Sequence, residues 1–256
     1  MTEELIRERR GPILVLRLNR PDARNALTPQ LLSGIGAAVL EAESEPEIRV
    51  IVLTGTGDRA FCAGMDLRSF SQGESMGLDD EGRLGYQRLI QGQIALPVVG
   101  AANGTAIGGG LELLLACDVT VASAQARFGF PEVKRGLFPA GGGTFVGTRI
   151  PLAVALEMTL TGDLIDAARA YQVGLVNAVV AAEEVLATAL ALAERISENA
   201  PLGLAAAKEL VRLGVSDTAQ ATSRMSEWQS TVFTSDDAKE GATAFVEKRK
   251  PVWKGR

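Results

Sequence analysis

Through the first two thirds of the chain, short runs of consecutive apolar residues alternate with polar, glycine-rich stretches. Pro12 to Leu18, Arg49 to Thr54 and Pro97 to Ala102 each hold such a run. They are too short for an ordinary helix and read as buried strands. Between the first two, Thr28-Pro29 is a helix start, with threonine as N-cap and proline at the first helical position. That helix runs to about Glu43 and is weakened by Gly34 and Gly36. Strand, helix and strand at this spacing predict βαβ-type packing. Asp118 to Ser123, Ala126 to Phe130 and Leu175 to Val180 read as further short strands. Asn19 to Leu27 and Gly55 to Leu67 are loops. Arg68 to Gly85, with Gly73, Gly77, Gly82 and Gly85, reads as a mobile loop or lid over a pocket, and Gly85 to Leu96 as helix. Gly141-Gly142-Gly143 precedes another apolar helix.

From Pro151 the pattern becomes alanine-rich and amphipathic. Asp166 caps a helix to Gln172, with Gly174 as its stop. Glu183 to Ser197 puts Leu186, Leu190, Ala193 and Ile196 on one face. Leu202 to Leu213, Asp217 to Thr231 and Asp236 to Lys248 follow as helices with apolar faces to bury.

Composition narrows the function. The chain has 256 residues, 46% of them hydrophobic, which suits one large domain or a domain with an appendage. A net charge of −5 disfavours a nucleic-acid surface. Cys62 and Cys117 lie in apolar surroundings and read as buried thiols in a reducing compartment. Met1 to Arg10 is charged and lacks the apolar centre of a signal peptide. No charge-free run of about 18 apolar residues predicts a membrane span. The expected location is cytoplasmic. The chain has no histidine. No Ser-His-Asp or Cys-His nucleophile can form, and neither a histidine zinc site nor a thiolate cage is available, so no metal is expected. Proton transfer falls to carboxylates, lysine, tyrosine or water.

The chemistry-bearing stretch is Asn103 to Asp118, read with Phe128 to Gly143. Gly108, Gly109 and Gly110 open an apolar helix, Leu111 to Ala116. Glycines let the backbone approach a ligand closely, and a helix start offers free N–H groups and partial positive charge. Such a place can hold an anion or a developing oxyanion. Glu112 sits in the first turn, and Glu132 follows Pro131 twenty residues on. Taken alone, Glu112 could simply complement the helix dipole and Glu132 could be a solvated loop acid.

Five segments in order raise the specificity: Asn19-Arg20-Pro21 with Asn25-Ala26-Leu27, Ala60 to Leu67, Asn103 to Glu112, Phe128 to Glu132, and Ala244 to Lys250. With them the chain resembles the enoyl-CoA hydratase/isomerase family, the crotonases, nearly end to end. The resemblance implies an α/β fold: a crotonase-like spiral of ββα turns with a C-terminal helical trimerisation region. It divides the chain into a spiral core over residues 1–195, holding CoA and the active site, and an oligomerisation region over 196–256.

The same resemblance implies an enoyl-CoA hydratase, a hydro-lyase that adds water to a 2-trans-enoyl-CoA. The backbone N–H groups of Met65 and Gly109 would form the oxyanion hole, and Glu112 and Glu132 the hydratase pair. The Met65 thioether by itself could equally fill a core gap. CoA would be held by Ala23, Arg24, Ala63 and Asp66 along with Met65, and by Phe245 and Lys248 from a neighbouring chain. CoA is part of the substrate, so no cofactor is implied. The partners implied are the acyl-CoA thioester and copies of the chain, as a homotrimer or a dimer of trimers. Ala140 stands where many hydratases have glycine, and Phe145-Val146 replaces a more polar pair, which bears on pocket shape. The alternatives are an enoyl-CoA isomerase, other crotonase-type acyl-CoA chemistry, or a non-catalytic acyl-CoA-binding regulator.

Overall fold

The structure, a computed structural model, describes residues 3–66 and 79–256. Its strands are β1 (Leu5–Arg10), β2 (Ile13–Leu18), β3 (Val50–Gly55), β4 (Ala60–Cys62), β5 (Val98–Ala102), β6 (Thr105–Ile107), β7 (Val119–Ser123), β8 (Arg127–Gly129), β9 (Ile165–Asp166) and β10 (Ala178–Val180). The helices are α1 (Pro29–Ser44), α2 (Asp80–Ile90), α3 (Gly109–Ala116), α4 (Leu152–Thr161), α5 (Ala167–Gln172), α6 (Val185–Ser197), α7 (Pro201–Ser216), α8 (Thr218–Phe233) and α9 (Asp236–Glu247).

Among the described residues two sheets form, in the orders β1-β2-β3-β5-β7-β10 and β4-β6-β8-β9. The pairs β3/β4, β5/β6 and β7/β8 each give their first strand to the larger sheet and their second to the smaller one. A helix follows each pair, which is the expected ββα spiral. The large sheet is parallel apart from the β1–β2 hairpin. It is covered on both faces. Ile13 and Val15 of β2 join Val185, Ala189 and Ala193 of α6, while Leu14 and Leu16 join Leu31, Ile35 and Val39 of α1. Strands buried on both faces need apolar residues at every position, so they appear as unbroken runs rather than alternations.

Several expectations need correction. The charged N-terminal segment, to which the sequence assigns no element, is an edge strand, pairing Leu5 with Leu18 through Arg10 with Ile13. Only Leu5 of β1 is buried, and Arg7 and Arg9 pair with Glu41 and Glu47 at 2.7 and 2.5 Å. Charge on an edge strand discourages pairing with other chains, and it hides the strand from a hydrophobic pattern. The loop Gly55 to Leu67 contains β4. Of the expected lid, residues 68–78 lie outside the described residues. From Asp80 to Gly85 the chain is helix, capped by the Asp79 carboxylate accepting from Gly82 N–H at 2.7 Å. Helix α2 ends at Ile90 instead of Leu96. Gly82 and Gly85 lie inside it, against Ser33 and Gly36 of α1. The segment directly after Gly141-Gly142 is a 3-10 helix, Gly143–Thr148, and the apolar α-helix starts only at Leu152.

Helix α7 is tied to the core through Asp118, whose carboxylate meets Lys208 Nζ and Arg212 Nη2, each at 2.8 Å. Glu209 on α7 takes Arg224 Nε and Trp228 Nε1 of α8 at 2.5 and 3.0 Å. Among the described residues no helix is long and apolar enough to cross a membrane.

Candidate active site

The start of α3 is pressed against the end of β4. A Cβ on Gly110 would stand 2.2 Å from the Cys62 carbonyl oxygen, and one on Gly64 would stand 3.2 Å from the Gly109 nitrogen. Gly64 and Gly108 have φ of +84° and +55°, a region that side-chain-bearing residues rarely adopt. Backbone of the Ala63–Met65 segment and of Gly108–Gly109 therefore lies in contact. Met65 forms a bridge with Leu27, made by Leu27 N–H to Gly64 O at 2.8 Å and Asp66 N–H to Leu27 O at 3.1 Å. That pattern uses the amides on either side and leaves the Met65 N–H over. Among the described residues neither Met65 N–H nor Gly109 N–H has a protein acceptor.

Two carboxylates flank the same glycine pair. Glu132 Oε1 lies 3.0 Å from where a Cβ on Gly108 would be, and Glu112 Oε2 lies 3.7 Å from that position on Gly109. Glu112 is buried on α3, and its Oε1 accepts from Gly141 N–H at 2.7 Å and Gly143 N–H at 2.9 Å. A Cβ on Gly141 would meet Glu112 Oε2 at 2.5 Å, so a side chain there would displace the carboxylate from these donors. Burial raises the Glu112 pKa above the ordinary carboxylate value, while the N–H groups of Gly143 and Gly141 oppose the rise. Glu132 lies in the 3-10 helix Pro131–Arg135, and its Oε2 is buried with no hydrogen-bond partner among the described residues. Burial raises its pKa, and the charge on Glu112 adds to the rise. Both shifts agree with two acids sharing one low-dielectric site.

Ala23, Arg24, Ala63 and Asp66 fall in one neighbourhood beside Met65. Ala63 N–H donates to Arg24 O at 3.0 Å. Asp66 pairs with Arg20 Nη2 at 3.2 Å. The buried Asn25 organises the loop, with Nδ2 donating to Thr56 O and Ala60 O at 3.0 and 2.9 Å. Phe245 and Lys248 stand at the exposed end of α9, where Lys248 N–H donates back to Ala244 and Phe245 carbonyls. No hydrogen bond or ion pair among the described residues links them to Arg24 or Asp66 within one chain. Burial pushes both cysteine thiols up to about 12, which leaves them inert as nucleophiles.

The sequence reading noted Gly141-Gly142-Gly143 only as a helix approach and missed the two amides that hold Glu112. The triplet itself was the available signal. It also missed a cavity of about 920 Å³ that opens from Glu112 between α2 and α7. Tyr86, Ile90, Ala140, Phe145 and Val211 form much of its wall.

Similarity to known proteins agrees with this geometry. A profile of the enoyl-CoA hydratase/isomerase family matches residues 8–256. The chain belongs to the enoyl-CoA hydratase/isomerase family. A carnitinyl-CoA dehydratase of Salmonella typhi is 39% identical over 271 aligned positions, covering all of both chains. Among solved structures, an enoyl-CoA hydratase from Mycobacterium tuberculosis H37Rv superposes with a TM-score of 0.92 at 40% identity, again over all of both chains. A carnitinyl-CoA hydratase from Mycobacterium avium gives 0.79 at 42% identity with the same coverage. The crotonase fold is thus established, and the chain is an enzyme of the hydro-lyase kind found among these family members.

Proposed function

We propose that this family member catalyses reversible addition of water to a 2-trans-enoyl-CoA. The observation that carries the reading is two carboxylates on one glycine pair, beside two amides without protein acceptors among the described residues. In the forward direction the water oxygen bonds to the β-carbon, and the π electron pair moves onto the thioester oxygen as an enolate. Met65 N–H and Gly109 N–H donate to that oxygen, at about 3 kcal/mol each by comparison with other oxyanion holes. Glu112, whose carboxylate is held by two backbone donors, accepts a proton from the water. Glu132, whose buried Oε2 lacks a donor, carries the proton that is delivered to the α-carbon. Ala23, Arg24, Ala63 and Asp66 are proposed to receive the CoA moiety. Wild-type enzyme is expected to remove the conjugated enoyl-thioester absorbance across a chain-length series, and to do so equally after exhaustive chelation, because the chain has no histidine to build a metal site. Binding of acyl-CoA without turnover at any length would instead favour a non-catalytic acyl-CoA-binding protein. Loss of turnover on chelation, restored by a divalent ion, would sink the metal-free mechanism.

We also propose a homotrimer or a dimer of trimers. Leu152, Leu156 and Leu160 form an i, i+4, i+8 stripe on α4 that is 66%, 47% and 73% exposed. Phe233 and Phe245 are also exposed, at 75% and 85%. Apolar surface of this extent marks an interface. In such an assembly Phe245 and Lys248 are proposed to complete a neighbour's CoA site. Multi-angle light scattering at micromolar concentration should give a multiple of three chains; a monomer contradicts the proposal.

A further inference from the structure

The cavity that opens from Glu112 is apolar along its walls but not at its far end. Past the C-terminus of α3 it is lined by Asp118, Arg149, Lys208 and Arg212. Asp118 Oδ2 accepts from Lys208 Nζ at 2.8 Å and from Val98 N–H at 2.8 Å. Its Oδ1 accepts from Arg212 Nε and Nη2 at 3.0 and 2.8 Å. Arg149 stays outside this pairing. Its Nη2 donates to Leu115 O at 2.6 Å and Cys117 O at 2.7 Å, and among the described residues Nε and Nη1 have no protein acceptor. One carboxylate thus faces three cations, and apart from Glu112 no other acid lines the cavity among the described residues.

Part of the excess is structural. The α3 C-terminus carries roughly half a negative charge, and Arg149 and Arg212 donate to its last carbonyls, which leaves a balance of about +1.5. Burial pulls both Arg149 and Lys208 below their ordinary values and the Arg212 charge pulls the same way, with Asp118 acting against it. With a rise of about 1.5 Å per residue, Cys117 stands roughly 8 Å along the helix from Glu112, within reach of a medium-length acyl chain.

We propose that this end of the cavity receives an anionic terminus of the acyl group, with Arg149 as the residue that meets it, so that the preferred substrate is a 2-enoyl thioester ending in a carboxylate. The proposal rests on the hydratase reading of Glu112 and Glu132. A carboxylate would give the two spare donor positions of Arg149 charge-assisted hydrogen bonds and offset the surplus charge. A methyl terminus leaves those donors unmet. A quaternary ammonium, as on a carnitinyl group, would add another cation and offers no hydrogen bond.

The test compares kcat/KM for three medium-chain 2-enoyl-CoA thioesters matched in length, ending in methyl, carboxylate or trimethylammonium. The carboxylate form should be preferred over methyl by about tenfold or more, and trimethylammonium should be slowest. Arg149→Met should narrow the carboxylate-to-methyl ratio toward one. A methyl terminus that is equal or better, or a preference for trimethylammonium, overturns the proposal on wild-type enzyme alone, whether or not the variant folds. If none of the three turns over, the hydratase reading fails, and calorimetric titration with the saturated thioesters decides the proposal separately. Tighter binding of the carboxylate form then supports it, and equal or weaker binding overturns it.

Discussion

Glu132→Gln and Glu112→Gln are each expected to lower hydration of a short 2-enoyl-CoA by about 10²–10⁴-fold while acyl-CoA affinity persists. Glutamine keeps the size and an acceptor oxygen but cannot exchange a proton. At Glu112 that oxygen can still take the N–H groups of Gly141 and Gly143, so the loop should stay in place. The double variant should cost far less than the product of the single losses, because both acids serve the same addition step. Stability separates lost chemistry from lost fold. The pKa of Glu132 is raised in the folded chain, so the fold binds its proton more tightly than the unfolded chain does. That contribution is present below the unfolded value of about 4.3 and is lost as pH rises through the folded value. Above the unfolded value the fold must either take up a proton or bury a charge at this position, so Glu132→Gln should unfold at the same or higher denaturant concentration. If Glu112→Gln keeps full hydration while Glu132→Gln is inactive, the paired mechanism is wrong, and a 3-enoyl thioester isomerase assay becomes the informative measurement.

The sequence disclosed most where one residue type has one local use. Thr28 and Asp166 cap their helices as expected, accepting from Leu31 N–H at 3.1 Å and Arg169 N–H at 2.7 Å. The apolar runs became central strands because both of their faces are covered. The motif spacing placed Glu112 and Glu132 at adjacent glycines, which no single-residue reading could have done. What stayed hidden depends on partners distant in sequence. β4 and β6 have three residues each, too few for any periodicity to register. The cations at the end of the cavity come from α7 and from Arg149, about 30 to 90 residues away from Asp118, and individually they look like surface charges. Glycine is ambiguous in the same way. It marks either a flexible loop or a backbone contact, and only the opposing chain decides which.

That ambiguity is settled most sharply between α1 and α2, and Gly85→Ala is expected to destabilise the fold by about 2–4 kcal/mol, at or above the usual range for overpacking. A Cβ on Gly85 would stand 2.1 Å from the Gly36 carbonyl oxygen and 2.6 Å from its carbon. A Cβ on Gly36 would stand 1.9 Å from the Gly82 carbonyl oxygen. These are backbone atoms, so no rotamer change relieves the clash and the helices must separate. Gly34 on the same helix supplies the control. A Cβ there meets Leu5 Cδ2 at 3.5 Å, an ordinary contact. Gly34→Ala should therefore stabilise by about 0.5–1 kcal/mol through helix propensity and a less flexible unfolded chain. Denaturant midpoints at matched slope measure both effects. The variant should also disturb substrate selection, because α2 carries Tyr86 and Ile90 into the cavity wall. In Gly85→Ala, kcat/KM should fall more for medium-chain than for short-chain thioesters. A Gly85→Ala protein as stable as the wild type would mean that the two helices are not held at backbone contact, and would return the glycines of this segment to the role of a flexible loop.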